Sequence, residues 1–326
     1  MDEIVVEIPT RLDFAGGTLD IYPLYLLFDG VSVVNLAIDI LTMTEIIKND
    51  SLREPLLRSQ DLDFETSYSD LDAYPDLSFH KAIIDYFNLE NMPIILTTKS
   101  QAPIGSGLGA SSSLLISMVT AVSEFLSKDY TPREIIQIAK DIETSQLKIP
   151  TGIQDYYAAI HRGLSAIHLY PGKVEYEDLN EYRQFIDQIM EQMHLIYLGR
   201  SHHSAKENWN IYKHAIEADR TTIDNLEALA ALSYSIYQTI INNDTQRFIQ
   251  LVTEEWEYRK RLLDTMEIEQ MKQIIEDLGD IVLGVKGCGA AGGGSMIIFA
   301  ESNAEAEIKT ICEKHGASLL SFLPFY

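Results

Sequence analysis

The sequence predicts an α+β chain organised in two domains. Its 326 residues suit two units at about 100 to 200 residues each. Short runs rich in β-branched residues crowd the first third, and helical periodicity takes over afterwards. Strands and helices segregate instead of alternating regularly, which argues against a doubly wound parallel sheet. The division is expected near residues 180 to 190, giving an N-terminal domain over 1–185 and a C-terminal domain over 186–326.

Ile4–Ile8, Val31–Ile38, Met43–Lys48 and Ile94–Thr98 read as strands bounded by turn residues. Residues 49–78 are polar and uneven and read as loops with one strand, followed by a short helix from His80 to Phe87. From Ser111 the period changes: Leu114, Leu115, Met118, Val119, Val122 and Phe125 recur at helical spacing behind a serine-rich start suited to capping the first turn. Thr131-Pro132 opens a second helix, with threonine as N-cap and proline at the first position. A third, short helix is expected over Gly152–His161, a strand over Leu164–Leu169, and a turn at Tyr170-Pro171-Gly172-Lys173. In the second half Met193–Leu198 reads as a strand, and helical patterns occupy about 201–218, 222–242, 245–263 and 267–278. Strands Ile281–Val285 and Met296–Ala300 flank a glycine cluster, a helix runs to His315, and Leu319–Leu323 closes the chain.

Composition excludes several classes. Hydrophobic residues at 46% and charged residues at 23% match ordinary globular usage, against a disordered or fibrous chain. A formal charge of −24 disfavours nucleic acid and anionic membrane, which draw their affinity from Lys and Arg. Glu254, Glu255 and Glu257, with Glu267, Glu269, Glu276 and Asp277, read as solvated helix faces. Cys288 and Cys312 lack metal-ligand spacing and fit a reducing compartment. The start has no positive region and apolar stretch of a signal peptide, and Leu114–Leu126 is broken by polar residues, so a cytoplasmic monomer or homodimer is expected.

The strongest local signal is Pro103, Ile104, Gly105, Ser106, Gly107, Leu108, Gly109, Ala110, Ser111, Ser112 and Ser113, lying between a strand and a periodic helix. Three glycines in five residues let successive N–H groups converge, and a helix N-terminus adds about half a positive charge there. That is an anion cradle, and the serines can add hydrogen bonds to phosphate or a ligand to the Mg²⁺ that travels with ATP. A P-loop needs a lysine at its end, which is missing here. Gly105-x-Gly107-x-x-Ala110 matches a relaxed dinucleotide fingerprint, but the chain runs from one helix directly into another without the required second strand.

A second cluster, Gly284–Gly294, joins two strands. Gly287-x-Gly289-x-x-Gly292 is a literal dinucleotide match followed by a strand, not a helix, so its context refuses that role. What remains is a backbone that must approach a ligand or another segment where any Cβ would clash. Glu143, late in the second helix, and Asp155, opening the third, form an acidic pair. One could hold metal while the other serves an attacking hydroxyl, as phosphoryl transfer requires.

These features together resemble the GHMP kinases, the superfamily of galactokinase, homoserine kinase, mevalonate kinase and phosphomevalonate kinase, over nearly the full length. Three motifs appear in the family's order: Pro9-Thr10-Arg11-Leu12-Asp13-Phe14-Ala15-Gly16-Gly17-Thr18, the loop at 103–113, and the loop at 284–294. The resemblance implies an N-terminal domain like ribosomal protein S5 domain 2, a ferredoxin-like C-terminal domain, and ATP phosphates on the 103–113 loop. It implies that Ser111 and Glu143 hold Mg²⁺, that Asp155 is the catalytic aspartate, and that Arg11 steadies it. Asp13, Gly16, Gly17, Thr18, Asp20, Gly152, Gln154, Gly289, Gly292 and Gly293 are then expected around the substrate.

Within the superfamily the chain looks most like bacterial heptose-phosphate kinases, whose N-terminal pattern is Arg-x-x-Phe-x-Gly-Gly-Thr-Asp. Here Leu19 intervenes before Asp20, which should displace a carboxylate expected on a sugar hydroxyl. A Gly-x-Ser-Arg-like segment of the family is replaced by Gly199-Arg200-Ser201-His202-His203-Ser204, moving cationic charge onto Arg200, His202 and His203. The expectation is an ATP- and Mg²⁺-dependent kinase for a hydroxyl of a sugar or sugar phosphate. The alternatives are a galactose-type sugar, polyol or mevalonate-type acceptor, or a sugar-sensing relative without turnover.

Overall fold

The computed structural model describes residues 3–199 and 204–326, with side chains from 208 onward in the second span. Two sheets organise it. The larger is built on β1 (Glu3–Ala15) and β2 (Val31–Lys48), paired antiparallel along nearly their whole lengths. The far edge of β2 is shared: β5 (Ile94–Ser100) takes its second half and β6 (Leu164–Tyr170) its first. β3 (Leu56–Ser59) runs parallel to β5, and β4 (Phe64–Ser67) and β7 (Lys173–Asp178) close the two edges antiparallel.

The sequence suggests two strands where β2 is one. The two expected strands leave residues 39–42 between them, but the backbone stays extended through that segment. Asp39 exchanges hydrogen bonds with Leu323, donating its N–H at 3.0 Å and accepting on its carboxylate at 2.6 Å. The returning C-terminal tail therefore supports the polar residue that looked like a break. β3 and β4 occupy the segment expected to hold one strand. β7 was not anticipated, because Lys173-Val174-Glu175-Tyr176-Glu177-Asp178 is a charged edge strand with little apolar signal.

Four helices belong to this half: α1 (Ser78–Phe87), α2 (Ala110–Phe125), α3 (Pro132–Leu147) and α4 (Gln154–His161). The start of α3 is a complete capping box. Thr131 Oγ1 accepts from Glu134 N–H at 3.3 Å while Glu134 accepts from Thr131 N–H at 2.8 Å. β1 changes partners along its length, across a register irregularity between Pro9 and Thr10. Ile4, Val6 and Ile8 share a core with α2 and α3, whereas Leu12 and Phe14 join another with Phe248, Val252 and Ile236. Such an irregularity re-aims side chains beside a site, and Arg11 and Asp13 lie just past it.

The chain then passes through α5 (Arg183–Met190), a further element not foreseen, into an antiparallel four-stranded sheet. Its order is β11 (Ser318–Leu320), β8 (Met193–Gly199), β10 (Gly294–Phe299), β9 (Gly284–Gly287). β9 begins later than expected, since residues 279–281 form a 3-10 turn. Around it stand α6 (Ser204–Ile216), α7 (Arg220–Ile241), α8 (Thr245–Lys260), α9 (Glu269–Leu278) and α10 (Glu305–Lys314). α7 lies on β2 while its partner α8 lies on β9, so this helical pair joins the two sheets. Segregated strands and helices make the fold α+β, as predicted.

Candidate active site

The glycine loop leaves β5 and enters α2 with Gly105, Gly107 and Gly109 all at positive φ (+70°, +77° and +74°). Gly109 stands at the N-cap and no side chain caps the helix. The serines do not perform the capping their position suggested. Ser111 and Ser112 donate to the two oxygens of Glu143, at 2.8 and 2.7 Å, while Ser113 donates to the Pro9 carbonyl at 2.9 Å and pairs with Thr42. The first-turn amides of α2 are thus left for a ligand, which is the condition for anion binding at a helix start.

Above the loop opens a cavity of about 570 Å³. Pro103, Gly105, Ser106, Gly107, Gly109, Ala110, Ser111 and Ser112 line it, and Leu108 and Ser113 lie buried beneath. Glu143 reaches it from α3. Burial raises its pKa, while hydrogen bonds from Tyr156, Ser112 and Ser111 act in the opposite direction. The Tyr156 hydroxyl, forced upward in pKa by burial and by Glu143, stays a donor to that carboxylate.

Asp155 stands in the first turn of α4. A Cβ placed on Gly109 would come within 3.0 Å of its Cγ, so the carboxylate rests against the loop. Arg11 grips one oxygen of Asp155 twice, from Nε at 2.8 Å and Nη2 at 2.7 Å, and donates through Nη1 to the Gly107 carbonyl at 2.6 Å. Burial works against the Arg11 charge, but Asp155 and Asp13 more than offset it and hold the guanidinium above its ordinary pKa. One side chain thereby ties the carboxylate to the loop.

The late glycine loop is pressed onto the first. A Cβ on Gly107 would meet the Cys288 carbonyl at 2.6 Å, and one on Gly289 would meet the Gly107 carbonyl at 2.7 Å. The close approach inferred from sequence is therefore made to another segment of this chain. Gly289 and Gly293 also line the cavity, whereas Gly292 is buried and donates its N–H to the Met266 carbonyl.

Beneath these loops lies a buried charge cluster that sequence reasoning missed. Asp13 is 0% exposed, Glu255 1%, Lys286 0% and Arg259 2%. Lys286 binds Glu255 directly and stands 3.9 Å from Asp13, and Arg259 stands 3.8 Å from Asp13 and 3.7 Å from Glu255. Asp13 accepts from Gly289 N–H at 2.9 Å, and Arg259 donates to the Gly289 carbonyl at 2.8 Å. Glu255 is thus no solvated residue, unlike the exposed Glu254 and Glu257. The missed signal was positional: Phe248, Val252, Glu255, Trp256 and Arg259 fall on one helical stripe, which puts the two charges on the core face of α8.

Arg259 also reaches Gly17 and Thr18, and Thr18 donates to Asn208 of α6 at 3.1 Å. Thr18, Asp20, Gly152, Gln154 and Asn208 line the cavity. Asp13, Gly16 and Gly17 are buried, and none of the three is part of the lining. Asp20 accepts from the amides that open α4. The cationic segment anticipated at Arg200, His202 and His203 lies outside the described residues.

A glycine-rich loop, a helix start without a side-chain cap and an arginine-held carboxylate meet in one cavity. Residues 78–163 match the model described as GHMP kinases N terminal domain. The chain is 25% identical over 329 residues to the D-glycero-alpha-D-manno-heptose 7-phosphate kinase of Campylobacter jejuni, covering 97% of this chain and 95% of that protein. Two solved structures share the fold. The D-glycero-D-manno-heptose 1-phosphate kinase from Bacteroides thetaiotaomicron matches with a TM-score of 0.77 at 23% identity, covering 98% and 95% of the two chains. The Methanococcus jannaschii mevalonate kinase matches with a TM-score of 0.77 at 19% identity, covering 99% of each.

Proposed function

We propose that this protein is an ATP-dependent kinase that transfers the γ-phosphoryl group to a hydroxyl of a sugar or sugar phosphate. The observation that carries the proposal is the placement of Asp155: one oxygen fixed by Arg11, the carboxylate against Gly109, and both in the cavity above the glycine loop. The relatives named for heptose phosphates put a phosphorylated sugar first among acceptors. We further propose a division into 1–185 and 186–326, with the cavity between them.

Phosphoryl transfer asks chiefly for positioning and charge neutralisation. The amides of loop 103–113 and the start of α2 hold the phosphates, and Arg11 keeps the loop and Asp155 in register. The second oxygen of Asp155 accepts a hydrogen bond from the acceptor hydroxyl and receives its proton as the hydroxyl oxygen bonds to phosphorus and the bond from phosphorus to ADP breaks. Ser111 and Glu143 are hard oxygen donors 2.8 Å apart at the cavity wall, and burial raises the Glu143 pKa, a penalty on its charged form that a bound cation would offset. They fit Mg²⁺, which neutralises phosphate charge when bound. Among the described residues no three His, Cys, Asp or Glu side chains converge on one point, so its other ligands would come from phosphate and water. No helix of the described residues is long and apolar enough to cross a membrane.

A coupled ADP-release screen over sugars, sugar phosphates, polyols and mevalonate tests the proposal. A sugar or sugar phosphate should give the strong signal, and Asp155→Asn should lower turnover about 10²- to 10⁴-fold while ATP still binds. Full turnover by Asp155→Asn, or no acceptor in the panel, would refute it.

A further inference from the structure

Helix α4 opens without a cap of its own. Ile153 occupies the cap position, and its side chain offers the first amides no acceptor. Those amides go elsewhere: Ile153 N–H and Gln154 N–H both donate to Asp20 Oδ2, at 2.6 and 2.9 Å, across more than 130 residues of chain. The approach is close enough that a Cβ on Gly152 would stand 2.1 Å from that oxygen, so glycine is required just before the helix. The backbone of Asp20 is anchored in turn, because Leu19 and Ile21 on either side belong to the same buried core. The intervening Leu19 therefore fixes the carboxylate against α4.

Asp155 is the second residue of this eight-residue helix. Its direction depends on the first turn, and the first turn is held by Asp20. We propose that Asp20 is a positioning residue that caps α4 from a distance and thereby aims the Asp155 carboxylate at the acceptor. The proposal rests on the reading of Asp155 as the catalytic carboxylate. It assigns Asp20 a part beyond contact with a sugar hydroxyl.

Among the described residues, the charged groups that act on Asp20 are Asp155 on α4 and Arg11 on β1. Burial pushes the Asp20 carboxyl up to about 6; the amide hydrogen bonds and Arg11 oppose this, and Asp155 adds to it. Protonation removes the negative charge that a helix start favours. Turnover should therefore carry an acid limb near pH 6 that belongs to Asp20.

Two variants separate positioning from substrate contact: Asp20→Ala, which removes the acceptor, and Asp20→Asn, which keeps an acceptor oxygen without charge. Amide hydrogen exchange over residues 152–156 reads the cap directly, and steady-state kinetics read its consequence. In Asp20→Ala the Ile153 and Gln154 amides should exchange faster and kcat should fall about 10- to 100-fold, the scale of a small misplacement, with KM for ATP unchanged. Asp20→Asn should recover much of the protection lost in Asp20→Ala, turn over at the rate the parent shows below pH 6, and lose the acid limb. Unchanged exchange in Asp20→Ala, or equal losses in both variants with a raised acceptor KM, would overturn the proposal and leave Asp20 a substrate ligand. Should Asp20→Ala fail to fold, the pH profile and exchange of Asp20→Asn against the parent decide alone. Undiminished turnover in Asp155→Asn would sink the catalytic reading and the coupling with it, whereas the exchange data still decide the cap.

Discussion

Replacing Lys286 by Met should destabilise the protein by about 3 to 5 kcal/mol, the usual consequence of removing one partner from a buried ion pair. Lys286, Arg259, Asp13 and Glu255 carry two charges of each sign, and all four are buried. Methionine keeps much of the lysine stem's volume, so packing is largely preserved and the loss is electrostatic. The interior is left with one uncompensated negative charge, shared between Asp13 and Glu255. Adding Glu255→Gln removes that charge and leaves Asp13 with Arg259. The double variant should therefore cost less than the sum of the singles by about 1 to 3 kcal/mol. Urea unfolding of the parent, both singles and the double gives the coupling from four midpoints at constant m. Because Asp13 and Arg259 hold Gly289 from its N–H and carbonyl sides, Lys286→Met should also raise KM for ATP. Simple additivity of the two losses would show that the four charges do not act as a unit.

Gly289→Ala should weaken ATP binding, since its φ of +60° adds about 1 to 2 kcal/mol of strain and its Cβ would lie 2.7 Å from the Gly107 carbonyl. An unchanged KM for ATP would show that this contact does not support the phosphate loop. His80 is driven down to about 4 by burial, so it must charge only when the fold opens. Its folded pKa lies below the unfolded 6.5, so the unfolded state binds more protons between those values. That stability is complete above pH 6.5 and is lost as pH falls towards 4, by on the order of 3 kcal/mol. Asp20, raised from 3.8 to about 6, has the opposite slope in that window. Urea midpoints from pH 7 to 4.5 should accordingly fall less in His80→Gln than in the parent, and more in Asp20→Asn.

The parts of the site that rest on backbone were legible from sequence, because glycine spacing and helix-start chemistry are local signals. Most of loop 103–113 lines the cavity for that reason, whereas Arg11, Glu143 and Asp155, which line it too, were singled out with the help of the family resemblance. What a side chain does once placed was less legible. Ser111 and Ser112 looked like caps and instead serve Glu143, since that carboxylate arrives from a helix later in the chain. Glu255 looked solvated because acidic runs usually are. Its burial follows from Lys286 and Arg259, neighbours that only the tertiary fold supplies. Asp20 shows the same limit. Its place in the N-terminal motif suggested a sugar contact, but its proposed role at α4 depends on a partner more than 130 residues away.

The second glycine cluster shows why this chain carries glycines so distant in sequence from the 103–113 loop. The amides proposed to hold phosphate belong to the first half, but the position of Gly107 is bounded by Cys288 and Gly289 of the second. Gly289 is in turn gripped by Asp13 from β1 and Arg259 from α8. A change in how the halves meet must therefore move the phosphate loop, and a ligand that fixes the loop must favour one arrangement of the halves. This reciprocity is required by linkage. Nucleotide binding should thus stabilise the parent against urea more than it stabilises Lys286→Met, although Lys286 lies outside the cavity lining.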